Sequence, residues 1–318
     1  DVNCVFVYRT IRELAKAVDQ GTVSNMPKLL TLREGDKSRP LIVFAGGVNC
    51  FLEIKSVLEG LDFDGVVYGI RLSDFDCPVT DPASVSDEIE ACSQELARQG
   101  IVAPVSLVGY SLGGIFALEL ARKIQQSGQK IRFLGLVDPL HSEHTWPWNI
   151  WAGYVFQLLL RRLWRLPREI LKGLKPGISA SEAAQAADPP RRHPLLQELQ
   201  PFIFRYCNPT WESYPELAPE WLGGYTPEYE REMRKLLRMR GLYRPSVYHG
   251  KLVFYRAEGG TPIFRAQRQI WSCYLPNAEW VDWRGTHLSI VVGRNGVRLG
   301  NDIGRRLRAL EKRTEQVA

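Results

Sequence analysis

Residues 105–126 read Val105-Ser106-Leu107-Val108-Gly109-Tyr110-Ser111-Leu112-Gly113-Gly114 and continue IFALELARKIQQ. The first five (VSLVG) predict a buried strand, and 112–126 predict an amphipathic helix that Gly128 ends. Between them Gly109-Tyr110-Ser111-Leu112-Gly113 fits G-x-S-x-G, and Gly114 extends it. A strand that turns this sharply into a helix holds its serine in a strained conformation, with the hydroxyl exposed at the carboxyl edge of a sheet. The five-residue pattern alone is weak, but here it has the strand before it and the helix after it that the mechanism requires. The bland alternative is an ordinary strand-to-helix turn with a satisfied serine.

Working outward, residues 40–140 alternate short apolar runs with amphipathic segments, the rhythm of a parallel sheet crossed by helices. Strands are expected at 40–45 (PLIVFA), 65–70 (GVVYGI), 105–109 and 131–137 (IRFLGLV), with helices at 51–61 and 84–99. The pattern breaks at Pro139 and resumes at 251–256 (KLVFYR), followed by a helix at 262–274, a strand at 279–283 and a last helix at about 297–312. The predicted fold is α/β, a mostly parallel, doubly wound sheet. A structureless loop of about 110 residues is improbable inside a compact domain, so residues 141–250 are expected to form an inserted helical lid. Helical stretches are placed there at 154–166 and 227–240, and the segment holds six of the nine tryptophans.

Composition narrows the class. With 318 residues, 45% hydrophobic and 24% charged, the chain can bury one large core, which excludes a disordered or fibrous protein. No apolar run reaches the ~18 residues of a membrane helix, and residues 1–20 carry charges with no signal-peptide core. A soluble, cytoplasmic protein is expected, with no membrane or nucleic-acid partner. The six cysteines lack metal or redox spacing and are expected to be reduced thiols, and the five histidines offer no zinc ligand set. The net charge of +6 is uneven: residues 161–175 hold six Lys or Arg against one Glu, and 294–313 hold seven against two. Such runs are usually solvated helix faces; the alternative is an acidic partner.

A serine hydroxyl needs a histidine base, and the base needs a carboxylate to fix its tautomer. In this architecture the expected chain order is Ser, Asp or Glu, then His. Asp138 ends the strand after the nucleophile, 27 residues beyond Ser111. His287, in the loop Arg284-Gly285-Thr286-His287-Leu288, follows the last strand and is the expected base. His141, His144, His193 and His249 fall in or beside the lid and are read as polar surface residues. Asp282 competes with Asp138 but is expected to flank the sheet. Two backbone donors should face the oxyanion: the N–H of Leu112, and one from Phe44-Ala45-Gly46-Gly47-Val48, with Gly47 preferred and Gly46 next. A tight turn alone would also explain that glycine pair.

These pieces resemble the α/β-hydrolase thioesterases that close nonribosomal peptide and polyketide synthases. The resemblance rests on residues 41–47 (LIVFAGG), 108–114 (VGYSLGG), Leu136-Val137-Asp138, 243–257 (YRPSVYHGKLVFYRA) and Gly285-Thr286-His287, and covers about 27–312. The family's first loop usually begins with histidine and proline, where this chain has Phe44 and Ala45. Because the donor there is a backbone N–H, the departure clouds only which residue donates. Residues 5–18 are similar to the last helix of an acyl or peptidyl carrier domain, with a threonine cap. By this reading residues 1–20 end a carrier-like domain, 21–39 are a linker, 40–140 and 251–318 form the hydrolase core, and the chain is a C-terminal piece of a longer synthase. A plain amphipathic helix is the alternative.

The resemblance implies transfer of an acyl or peptidyl group from a carrier's phosphopantetheine thiol to Ser111, then release by hydrolysis or cyclisation. The carrier domain is the implied partner, its acidic surface meeting the basic stretch 161–175. The chain itself is expected to bind no cofactor and no metal. A free-standing serine esterase or lipase, and a non-catalytic binding module of the same fold, remain as alternatives.

Overall fold

A computed structural model of the chain describes residues 3–24, 26–47, 50–72, 83–102, 104–141, 240, 243–259 and 267–315. The chain divides into two units, Asp1–Ser142 with Tyr225–Ala318, and Glu143–Gly224. All described residues belong to the first. The lid stretches 154–166 and 227–239, the basic run 161–175, His144 and His193 lie outside the described residues.

Seven strands among the described residues form one sheet: β1 (Leu29–Arg33), β2 (Asp36–Phe44), β3 (Gly65–Ile70), β4 (Val105–Tyr110), β5 (Ile131–Val137), β6 (Leu252–Ala257) and β7 (Ala278–Trp283). Their order is β1-β3-β2-β4-β5-β6-β7, with β1 antiparallel to β3 and the remaining pairs parallel. The helices are α1 (Cys4–Val7), α2 (Ile11–Asp19), α3 (Lys55–Gly60), α4 (Ala83–Arg98), α5 (Gly113–Gln126), α6 (Gln267–Trp271) and α7 (Gly293–Glu315). The predicted helix at 51–61 is a 3₁₀ turn, Phe51–Ile54, leading into α3.

β4 is buried along its whole length because it lies between β2 and β5 with helices over both faces. The two-residue period of a strand sorts its side chains. Val43, Val108, Tyr110, Val137, Val253 and Tyr255 share one core cluster with Val57 and Leu61 beneath α3 and Leu299, Ile303 and Leu307 of α7. The alternate residues point the other way, where Phe44 stacks on Phe116 of α5 and Phe254 meets Trp271 of α6. The site-bearing strand is thereby fixed from four directions.

Two differences from the sequence reading have physical causes. Residues 21–39 are not wholly a linker, since Leu29–Arg33 pairs as an edge strand and buries Leu30, and β2 starts at Asp36. The last helix begins at Gly293, four residues before the expected start. Its Gly296, Gly300 and Gly304 look like helix breakers in sequence, but Gly300 and Gly304 let α7 lie against the backbone of α3 and the residues after it, and Gly296 packs against Val291 and Ser56. A Cβ on Gly300 would stand 2.1 Å from the carbonyl oxygen of Val57.

The N-terminal residues pack onto this core. Asn3 is buried, and its Oδ1 accepts from the N–H of Phe51 at 3.0 Å. Phe6 meets the Phe51 ring edge-on, centroids 6.4 Å apart. α2 starts with a capping box: Thr10 Oγ1 accepts from Glu13 N–H and Glu13 Oε2 accepts from Thr10 N–H. Its apolar residues Ile11 and Val18 are exposed. In α7, Arg305 and Arg306 pair with Asp302, Arg306 also with Glu279, and Arg308 with Asp62. Part of the basic run at 294–313 is thus neutralised within the chain.

Helix propensity favours Ala over Gly by about 1 kcal/mol, whereas overpacking against backbone that cannot yield costs about 1–3 kcal/mol. Gly300→Ala is therefore expected to lower stability despite the better helix former, as read by the denaturant midpoint. An unchanged or raised midpoint would show that α3 and α7 can separate without cost.

Candidate active site

Ser111 is positioned between β4 and α5. Ser111 follows the last residue of β4 and has φ of 55°, the left-handed region. For a residue with a Cβ this costs on the order of 1–3 kcal/mol and persists only where surrounding bonds over-determine it. Those bonds are present: Ser111 N–H donates to Val137 O at 3.0 Å, and Ser111 O accepts from Gly114 N–H and Leu140 N–H, each at 3.1 Å. Gly113 admits the close approach of α5 to the loop after β2, since a Cβ there would lie 2.3 Å from Ala45 O.

Asp138 stands one residue past β5 and is also left-handed, with φ of 43°. Tyr110 and Val137 are register partners, so Ser111 and Asp138 are the next residues along neighbouring strands, at the carboxyl edge of both. Asp138 has no exposed surface. Its N–H donates to Tyr255 O at 2.8 Å, and its Oδ1 accepts from Ala257 N–H at 3.1 Å. The other carboxylate oxygen, Oδ2, lies 2.8 Å from His287 Nδ1. His287 Nε2 lies 2.8 Å from Ser111 Oγ. A carboxylate only accepts, so Nδ1 carries the proton and Nε2 presents its lone pair to the serine hydroxyl.

His287 rides on the loop after β7, which local bonds shape. Gly285 takes φ of 121°, and its carbonyl accepts from Gly259 N–H at 2.7 Å. Thr286 N–H donates to Ser289 Oγ at 2.8 Å, and Ile290 N–H to Thr286 O at 3.0 Å. Asp282 does not join the cluster; it pairs with Arg256 at 2.7 Å on the sheet flank.

Three neighbours escaped the sequence reading. Tyr110, the unspecified residue before the serine, donates its hydroxyl to His287 O at 2.8 Å. Its ring stacks on the imidazole, centroids 5.4 Å apart and planes 26° apart. Glu53, half-buried in the 3₁₀ turn, has its carboxyl raised to about 7, chiefly by burial, against which the nearby His287 pulls down. His141, expected on the surface, is buried. Burial foremost, with Arg240 and His287 adding, lowers its imidazole to about 3, so it stays neutral. His249 is exposed, as expected of a polar surface residue. Position just beyond β5, not residue type, decides the burial of His141.

The predicted donors can be placed as well. Gly46 lies against the serine: a Cβ there would meet Ser111 Cβ and the Tyr110 ring at 3.0 Å. Gly47 follows with φ of 42°. Leu112 is the N-cap of α5 and is buried. Among the described residues no group of three or more His, Cys, Asp or Glu is placed to hold a metal ion, and no helix is long and apolar enough to cross a membrane. Cys4, Cys50, Cys92 and Cys273 are free thiols.

Residues 40–153 match the family profile described as Thioesterase domain. Aspulvinone E synthetase melA of Aspergillus terreus is 25% identical over 214 residues, a match that covers 64% of this chain and 23% of that protein. The chain thus spans about a quarter of that curated relative's length. Among solved structures, the four-domain nonribosomal peptide synthetase AB3403 superposes with a TM-score of 0.58 at 17% identity, covering 94% of this chain and 22% of that one. The RedJ thioesterase from the prodiginine biosynthetic pathway in Streptomyces coelicolor superposes at 0.50 with 16% identity, covering 88% of this chain and 95% of that one. The fold is that of the α/β-hydrolases.

Glu53 yields a pH prediction. Folded, it keeps its proton up to about 7; unfolded, it releases it near the ordinary 4.5. The folded state therefore binds more protons between those values, and stability falls as pH rises through that window. Glu53→Gln carries no charge to bury. It should be more stable than the parent by roughly 1–3 kcal/mol at about pH 8 and equal to it at about pH 4.5. Denaturant titrations at the two pH values check this, and an equal difference at both would mean that Glu53 ionises as freely folded as unfolded.

Proposed function

Taking residues 40–153 as a thioesterase domain on an α/β-hydrolase scaffold, we propose that this chain releases an acyl or peptidyl group from a carrier-bound thioester through a serine acyl-enzyme. The observation that carries the proposal is the continuous relay from Ser111 Oγ through His287 to Asp138, with both contacts at 2.8 Å. The carrier partner is supported by relatives that are larger synthetases, of which this chain matches only a part.

In this reading His287 Nε2 takes the proton of Ser111 Oγ as that oxygen attacks the thioester carbonyl carbon. Asp138 holds the ring tautomer and stabilises the imidazolium. The oxyanion lies toward the N–H of Leu112 and the Gly46-Gly47 turn, where each donor is worth roughly 3 kcal/mol. As the tetrahedral intermediate collapses, the C–S bond breaks, and His287 returns its proton to the departing pantetheine sulfur. The thiol is a good leaving group, so the demand falls on positioning and the oxyanion site. The second half repeats the cycle with the attacking group changed. His287 deprotonates water, or a hydroxyl or amine within the acyl chain, which attacks the ester carbonyl. The proton then goes to Ser111 Oγ as the acyl–serine bond breaks, giving a free acid or a ring.

Ser111→Ala is expected to lower turnover of an acyl thioester on the order of 10⁴ to 10⁶ while leaving the fold intact. Asp138→Asn should also cripple turnover, by up to about 10⁴, whereas Asp282→Asn should stay within a few-fold of the parent. Steady-state kinetics with a carrier-bound thioester and a matched oxygen ester serve as the readout. Activity of Ser111→Ala within tenfold of the parent would remove the serine from this role, and preference for the oxygen ester would favour a free-standing esterase.

A further inference from the structure

We infer that Tyr110 is a positioning residue for His287, holding the base to the nucleophile strand in both half-reactions; the inference rests on the Ser111, His287 and Asp138 reading above. Tyr110 belongs to the centre of the sheet. Its backbone pairs with Val137 of β5, and its side chain is 3% exposed in a core that includes Val43, Val108, Ile290 and Val291. His287 sits on a loop beyond the outermost strand, β7, whose side chains are only partly covered. The hydroxyl of Tyr110 bonded to His287 O at 2.8 Å spans 177 residues of sequence and joins a strand buried along its whole length to the loop beyond the partly covered β7. The stacked ring restricts rotation of the imidazole about its own bond.

The chemistry gives this contact its purpose. Before acylation Ser111 Oγ, Asp138 Oδ2 and Tyr110 all hold His287. Once Ser111 carries an acyl group, its oxygen has no proton to give, and the first hold is lost. Asp138 and Tyr110 then keep the base in place while the releasing nucleophile arrives. The phenol suits the task because it remains a donor throughout. Burial above all, with Glu53 and Asp138 adding, pushes its pKa far above the usual tyrosine range.

Tyr110→Phe keeps the ring and removes only the hydroxyl. A misplacement of about 1 Å in a catalytic group can cost about 10²-fold, so kcat for a small soluble acyl thioester is expected to fall roughly 10- to 100-fold, with KM within about twofold. In pre-steady-state measurements, deacylation should slow at least as much as acylation. In a His287→Ala background the same substitution should change nothing, because there is no base left to position. A kcat within twofold of the parent would overturn the inference. An equal fall in the His287→Ala background would also overturn it, since the hydroxyl would then serve the fold alone. Circular dichroism confirms that each variant is folded. Failure of the underlying reading is distinguishable, because it would show as activity surviving Ser111→Ala whatever Tyr110→Phe does.

Discussion

The parallel pairing of β4 with β5 sets the remainder of the site. With Tyr110 opposite Val137, the next residues, Ser111 and Asp138, leave the sheet side by side. Both are left-handed, a conformation that costs backbone energy. The two turns support one another. Ser111 N–H donates to Val137 O, and Ser111 O receives Leu140 N–H from beyond Asp138. A one-residue slip of this register would turn one of the two side chains to the opposite face and break those bonds together.

A buried carboxylate without partners would be costly to keep ionised. Asp138 avoids this because β6 supplies Ala257 N–H to one oxygen, and the β7 loop supplies His287 to the other. The sheet order therefore has a chemical consequence. β5 brings Asp138, β6 satisfies it, and the loop beyond β7 delivers His287. The face of the sheet that packs on α3 and α7 also contributes, since Tyr110 lies in that core and reaches the backbone of His287.

Much of this arrangement is legible in the sequence, for identifiable reasons. Fully buried parallel strands read as apolar runs, so Gly65–Ile70 and Ile131–Val137 fall where the runs put them. The chain order of Ser111, Asp138 and His287 was enough to name three side chains that the fold brings within hydrogen-bond distance. Leu29–Arg33 was hidden because this edge strand is only five residues long and breaks its three leucines with Thr31 and Arg33. The early turn of α7 was hidden because glycine signals a break in sequence but close approach in this helix pair. Tyr110 and His141 illustrate a third limit. G-x-S-x-G leaves its second position free, and polarity alone would put a histidine at the surface. Only the register and the loop after Asp138 show that Tyr110 touches His287 and that His141 is buried.

The account stands on a covalent intermediate at one hydroxyl. Acid quenching during turnover of an acyl thioester, followed by mass spectrometry of the intact chain and its peptides, tests it directly. The account predicts a single mass increase equal to the acyl group, located on the peptide that carries Ser111. An acyl group on another residue, or thioester turnover with no adduct at any quench time, would contradict it.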